Sequence, residues 1–204
     1  VTFPLLTTAA GAKFGKTEAG AVWLDADRTS PYQFFQFWIN TDDRDVGKYL
    51  RLMTLFDRDA IEAFERDVME HPERREAQNA LALEITARVH GNEAASVARE
   101  VSRVLFGRGE VSDLSTAALA ALAREVPGAT VSRGESLSLT DLFVRAGLVK
   151  SKGEARRVAD QGGAYVNGER AASGSMLSEM SPLAGSFILL RKGARDYAMI
   201  QVVG

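Results

Sequence analysis

The chain has 204 residues, 46% of them hydrophobic and 25% charged, with a formal net charge of −2, room for one large or two small globular domains. No run approaches the roughly 18 consecutive apolar residues of a membrane span, and no charged leader precedes an apolar segment, so neither a membrane protein nor a secretory signal is expected. With no cysteine, disulfides, zinc knuckles and thiol nucleophiles are excluded, and the cytoplasm is the expected compartment.

In chain order, Val1-Thr2-Phe3-Pro4-Leu5-Leu6 reads as a buried strand that begins abruptly, as expected of a fragment cut inside a domain. A turn at Ala10-Gly11 leads into the loop Lys13-Phe14-Gly15-Lys16-Thr17. From about Ser30 to Glu125 the pattern is almost wholly helical. Ser30-Pro31 is a cap and first-turn pair, with Phe34, Phe35 and Trp38 spaced for one face. Asp42 or Asp43 caps the next helix, carrying Val46, Tyr49, Leu50, Leu52 and Met53, and Asp57 caps one through Ile61, Phe64 and Val68. Pro72 marks the start of a helix that stops at His90-Gly91; further helices span Glu93 to Phe106 and Ser115 to Glu125.

Between Pro127 and Ser138 the Gly, Ser and Thr content and the lack of periodicity predict a linker. The period then changes. One helix carries Leu139, Leu142, Phe143 and Ala146 to a stop at Gly147, and Ser151 caps a second through Arg156 and Arg157 to Gly162-Gly163. Tyr165-Val166, Asn167-Gly168 and Glu169-Arg170 predict a strand, hairpin turn and strand, because Asn-Gly suits the left-handed turn positions. Phe187 to Leu190 and Tyr197 to Val202 supply further strands, so this module is α+β. Charge divides along the same line: residues 137–204 hold nine Lys and Arg against six Asp and Glu, or +3, while the rest hold sixteen against twenty-one, or −5. A basic module beside an acidic one hints at a nucleic-acid partner.

The loop places Lys13 and Lys16 around a glycine, with the Thr17 hydroxyl beside them. Ammonium donors on flexible backbone suit a polyphosphate whose charge grows during reaction. A P-loop would need glycine at position 10, which is Ala10. Chemistry alone favours a solvated basic loop over a nucleotide site, because such pentapeptides arise easily by chance. The pentapeptide resembles the KMSKS loop of class I aminoacyl-tRNA synthetases, in the KFGKT form of bacterial tyrosyl enzymes, and its flanks Pro4-Leu5-Leu6-Thr7-Thr8 and Glu18-Ala19-Gly20-Ala21-Val22-Trp23-Leu24 are similar to that family as well. The resemblance implies that Lys13, Lys16 and Thr17 are catalytic, stabilising the ATP pyrophosphate while tyrosine's carboxylate attacks the α-phosphate, with Lys16 the chief ATP contact.

Tyr32 to Trp38, followed by Ile39-Asn40-Thr41-Asp42-Asp43-Arg44-Asp45-Val46, also resembles tyrosyl-tRNA synthetases, as do Arg75 to Ala82 and Thr86 to Gly91. These segments are similar to that family's α-helical anticodon-binding domain. Phe34, Phe35 and Trp38 read as core. Asp42, Asp43 and Asp45 either cap a helix or accept hydrogen bonds from a guanine edge, and Asp42 and Asp43 are the RNA-binding candidates. His90-Gly91 is followed by Asn92-Glu93 rather than the rest of a HIGH signature, so His90 reads as a helix-end residue and His71 as a surface one. Neither has a third ligand nearby, and no metal site is expected.

Residues 138 to about 172 resemble the RNA-binding domain first defined in the small-subunit ribosomal protein S-four, through Leu139, Leu142, Gly147-Leu148-Val149, Ser151-Lys152, Glu154-Ala155-Arg156-Arg157, Gln161-Gly162-Gly163 and Val166-Asn167-Gly168. Lys150, Lys152, Arg156 and Arg157, on or just before one short helix, are the candidates for RNA phosphates, contacts that position rather than read sequence. The alternative is a solvated face paired with Glu154 and Asp160. Beyond Ala172 only Arg191 and Lys192 are weak candidates.

Together the resemblances imply a multidomain chain. Residues 1–25 end a class I catalytic (Rossmann) domain, 26–126 form a mainly α anticodon-binding domain, 127–137 a linker and 138–204 a small α+β S-four-like RNA-binding domain. The implied partners are tyrosine tRNA, through its anticodon stem-loop and long variable arm, and in the intact enzyme ATP, tyrosine and, with ATP, Mg. The parent is expected to be a homodimer through a catalytic region not found here. The fragment alone is expected to bind no cofactor tightly and to be incompetent in adenylation. Rival readings are a non-enzymatic RNA-binding protein and a pseudouridine synthase carrying the same module; the latter needs a large sheet domain, for which nothing after residue 25 offers a pattern.

Overall fold

The computed structural model describes residues 6–11, 16–17, 20–106 and 109–204, with the side chains of residues 16, 17 and 20 left out of the description. The chain divides into two compact units, residues 1–99 and 100–204. In the first, two short antiparallel strands, β1 (Lys16–Thr17) and β2 (Gly20–Ala21), pair Lys16 with Ala21 and Thr17 with Gly20. Four helices follow: α1 (Pro31–Ile39), α2 (Asp43–Met53), α3 (Arg58–Glu70) and α4 (Glu76–His90); α5 (Asn92–Leu105) contains the division between the units.

Local chemistry starts these helices where it was expected. Ser30 Oγ accepts from the Gln33 amide at 3.1 Å, Asp42 Oδ1 from the Arg44 amide at 2.9 Å and Asp57 Oδ1 from the Ala60 amide at 2.8 Å, each cap worth about 1 kcal/mol. Pro72 opens a short 3₁₀ turn (Pro72–Arg74) instead of the long helix, which begins after Arg75 turns the chain at φ 55°. α4 lies against α1, α2 and α3. It buries one broad face, Ala77, Gln78, Leu81, Ala82, Ile85 and Thr86, wide enough to meet all three and including the polar Gln78 and Thr86. Phe34, Phe35, Trp38, Tyr49 and Leu50 complete this core, with Trp38 edge-on to Tyr49 at 6.2 Å.

In the second unit, α6 (Thr116–Glu125), α7 (Leu139–Arg145) and α8 (Lys152–Asp160) accompany a five-stranded mixed sheet. Its strands are β3 (Gly128–Ser132), β4 (Ala164–Val166), β5 (Glu169–Arg170), β6 (Phe187–Lys192) and β7 (Asp196–Val203), in the order β3-β7-β6-β4-β5. The hairpin forms as expected: Val166 faces Glu169 across Asn167 (φ 50°) and Gly168 (φ 92°). One sheet face packs Ala164, Ile188, Leu190, Ala198 and Ile200 on Leu139, Leu142, Phe143 and Ala155 of α7 and α8.

The stretch expected to be an aperiodic linker is instead largely structured. Residues Gly128 to Ser132 form β3, parallel to β7 from Met199 to Val203, and Val131 is 1% exposed in the sheet core. Gly128 serves close approach: a Cβ there would run into the Met199 carbonyl oxygen. Its composition imitates a linker because an edge strand needs few apolar residues and its pairing partner lies far along the chain.

Candidate functional site

Of the loop residues, Lys13 lies outside those described. Lys16 and Thr17 form β1, opposite Ala21 and Gly20. Just upstream, the Gly11 amide donates to the Thr8 carbonyl at 2.8 Å. Just downstream, the Trp23 amide donates to Thr29 Oγ1 at 3.0 Å, and the Arg28 guanidinium sits 3.2 Å over the Trp23 ring.

The three aspartates at the start of α2 have separate surroundings. Asp42 is exposed and caps the helix; its carboxylate also accepts from Arg44 Nε at 2.9 Å and Nη2 at 2.8 Å, and those guanidinium bonds hold it well below the usual carboxylate range. Asp43 accepts from Gln78 Nε2 at 2.5 Å and lies 3.9 Å from Arg75 Nη1. Arg75 in turn donates to the carbonyls of Ile39 at 2.7 Å and Thr41 at 3.3 Å, which fixes the approach to this corner. Asp45 is 5% exposed and accepts from the Ala9 amide at 2.8 Å. His90 ends α4 and packs edge-on against Phe34 at 4.9 Å; burial pushes its pKa down.

On α8, Ala155 is buried and Val158 and Ala159 pack against the core, which turns Arg156 and Arg157 outward, both exposed. Neither makes an ion pair among the described residues, and the expected partners Glu154 and Asp160 do not engage them there. Glu154 accepts instead from the Lys150 amide at 3.0 Å, and the Lys150 side chain is exposed. Lys152 is tied down: its Nζ lies 2.5 Å from Asp141 Oδ1. Asp141 is the third residue of α7 and closes a capping box with Ser138. The Lys152 ammonium, then the Ser138 hydroxyl and amide, lower its pKa to about 2 from 3.8. A carboxylate depressed in this way stabilises the fold above pH about 4, and that contribution disappears as pH falls toward 2. In an NMR titration Asp141 should have its midpoint near 2 and move up toward the ordinary value in Lys152→Met; an unmoved midpoint would assign the shift to Ser138 alone.

The sheet adds a feature that the sequence did not single out. Register places Arg170, Tyr165, Arg191 and Tyr197 in one transverse row across β5, β4, β6 and β7. The Arg191 guanidinium stands 3.8 Å over the Tyr165 ring, and Arg170 Nε donates to the Tyr165 hydroxyl at 3.4 Å, which lowers the phenol pKa. Alternating guanidinium and aromatic groups can meet both phosphate and base. Lys192, coupled with Arg191 in the sequence reading, is occupied elsewhere, donating to the Leu148 carbonyl at 2.8 Å and pairing with Asp196 at 3.5 Å. The Asn-Gly turn was the available signal for the row, since it fixes Tyr165 opposite Arg170.

Among the described residues no helix is long and apolar enough to cross a membrane, and no group of three or more His, Asp or Glu could hold a metal ion. The profile of the family described as tRNA synthetases class I (W and Y) matches residues 1–107, and that of the tyrosine–tRNA ligase SYY-like C-terminal domain matches residues 118–200. A tyrosine–tRNA ligase of Anaeromyxobacter dehalogenans is 48% identical over 205 residues, covering 99% of this chain and 49% of that protein. Those of Roseiflexus castenholzii (47% over 206 residues, 98% of this chain, 48% of that protein) and Geobacillus stearothermophilus (45% over 202 residues, 98% and 48%) are similar. The chain thus spans about half the length of the curated relatives it matches. Among solved structures, a C-terminally truncated Aspergillus nidulans mitochondrial tyrosyl-tRNA synthetase shares 36% identity with a TM-score of 0.42, over 44% of this chain and 25% of that one.

Proposed function

Because this chain belongs to the class I tRNA synthetases of the tryptophan and tyrosine type and is similar over nearly its whole length to tyrosine–tRNA ligases, we propose that it is the tRNA-binding carboxy-terminal part of an enzyme that activates tyrosine with ATP and transfers it to tyrosine tRNA. The observation that carries the RNA-binding role is the outward pair Arg156 and Arg157 on α8, exposed and without ion-pair partners among the described residues. Two guanidinium groups on one short helix supply backbone contacts of the kind that position an RNA stem. Lys150 flanks them. Lys152 contributes through its end of the ion pair with Asp141. The row of Arg170, Tyr165, Arg191 and Tyr197, on the sheet face opposite the one that packs on α7 and α8, offers a second set of groups that stack as well as pair.

In this reading the S-four-like module of residues 138–204, whose sheet β3 joins, takes the anticodon stem and long variable arm. The helical module of residues 26–126 takes the anticodon. Asp42 and Asp43 sit exposed at the start of α2, and their carboxylates would accept from the N1–H and N2–H₂ edge of guanine after Arg44 or Gln78 yields. Residues 1–25 contribute Lys13, Lys16 and Thr17 to ATP, which arrives with Mg, in an active site completed by the remainder of a cytoplasmic, homodimeric parent. The fragment alone is inactive in adenylation. The rival is a non-enzymatic RNA-binding protein using the same module, and competition of tyrosine tRNA against bulk ribosomal RNA separates the two.

A further inference from the structure

Helix α2, capped by Asp42 and begun by Asp43, reaches back through its first two turns to the entrance of the lysine loop. Asp45, 5% exposed, directs its carboxylate thirty-six residues upstream, where Oδ2 accepts from the Ala9 amide at 2.8 Å. Three positions on, and so on the same helix face, Lys48 Nζ donates to the Thr7 carbonyl at 2.8 Å. Each charge meets the main-chain group of the complementary kind, an anion on N–H and a cation on C=O, in bonds stronger than neutral ones. The two bonds bracket Thr8, whose carbonyl closes the turn onto the Gly11 amide. A carboxylate this buried is costly unless hydrogen-bonded. A first-turn aspartate that served only its own helix would bond within that turn; this one bonds the main chain thirty-six residues upstream.

We infer that Asp45 and Lys48 are positioning residues for the lysine loop: they fix the main chain at Thr7 to Ala9, four residues ahead of Lys13, so that the loop leaves α2 from a set point and direction. The inference rests on the reading of Lys13 and Lys16 as the groups that grip ATP. Neither Asp45 nor Lys48 touches substrate in it. Their effect is geometric, and misplacing a reacting or stabilising group by about 1 Å can cost up to about a hundredfold in rate.

The test uses the intact enzyme that contains this chain, with the 204-residue chain as a second arm. In the enzyme, Asp45→Ala should lower kcat for tyrosine-dependent ATP–pyrophosphate exchange at least about tenfold and leave the tyrosine KM within about twofold. Asp45→Asn, whose amide oxygen still accepts from Ala9, should restore most of the rate. Lys48→Met, at an exposed position, should lower kcat in the same sense. In the 204-residue chain, Asp45→Ala should speed hydrogen exchange at the Ala9 amide while tRNA affinity stays unchanged. Ala9 exchange that does not respond overturns the contact. A faster amide with wild-type kcat in both variants overturns the positioning role, as does a loss of kcat in Asp45→Ala that Asp45→Asn fails to rescue. Failure of the underlying loop reading shows separately, as undiminished exchange activity in Lys16→Ala.

Discussion

Replacing Arg156 and Arg157 together by alanine should weaken binding of tyrosine tRNA by the chain and flatten the dependence of log affinity on log salt by up to about two units of slope. The reason lies in what the two side chains do in the free protein. Both project from α8 away from buried Ala155 and make no ion pair among the described residues, so an approaching phosphate need displace no protein partner. Each phosphate contact releases bound cations, which makes the slope a count of contacts rather than a measure of overall stickiness. At moderate salt the loss should be on the order of tenfold or more. Thermal stability should hardly change, since substitutions at exposed positions without partners usually stay within about 0.5 kcal/mol. Lys152→Ala is the contrast. Its ammonium is already shared with Asp141, so its removal should reduce the slope less than either arginine and should raise the Asp141 pKa. An unchanged slope in the double arginine variant would remove both residues from the interface.

In the intact enzyme, Lys16→Ala should slow tyrosine-dependent ATP–pyrophosphate exchange by roughly a hundredfold to a thousandfold, the usual cost of losing one preorganised donor to a developing charge. Affinity for tyrosine tRNA should be unchanged, because the RNA-binding groups belong to α2, α8 and the sheet. The loss should fall mainly on kcat if Lys16 engages the pyrophosphate most strongly in the transition state. The 204-residue chain should show no exchange with or without the substitution. Exchange by these residues alone would contradict their dependence on the rest of the parent.

What could be read from sequence was the chemistry that acts locally. Ser30, Asp42, Asp57 and Ser151 start helices because a short polar side chain can satisfy an amide two or three residues ahead. Asn167-Gly168 turns a hairpin because those two residues tolerate positive φ. The misses are tertiary. Three aspartates within four positions look alike in sequence, yet Asp42 faces solvent with Arg44, Asp43 meets buried Gln78 and Asp45 is buried against Ala9. The strand at Gly128 to Ser132 depends on a parallel partner about seventy residues away, which no local pattern announces. Lys152 and Lys192 read as surface cations free for RNA, but Asp141, Asp196 and the Leu148 carbonyl claim them. Conversely, Tyr165 gained significance only when register set it beside Arg191.

The most direct measurement is competition for the 204-residue chain itself. Labelled tyrosine tRNA is bound at about 0.1–0.15 M salt, where long-range attraction is screened beyond about 8–10 Å, and displaced with unlabelled tyrosine tRNA or with bulk ribosomal RNA at equal nucleotide concentration. The tRNA-binding part of a tyrosine–tRNA ligase should be displaced at least about tenfold more effectively by tyrosine tRNA, a difference of about 1.4 kcal/mol. Equal displacement by the two RNAs would contradict it and leave only a general RNA-binding module.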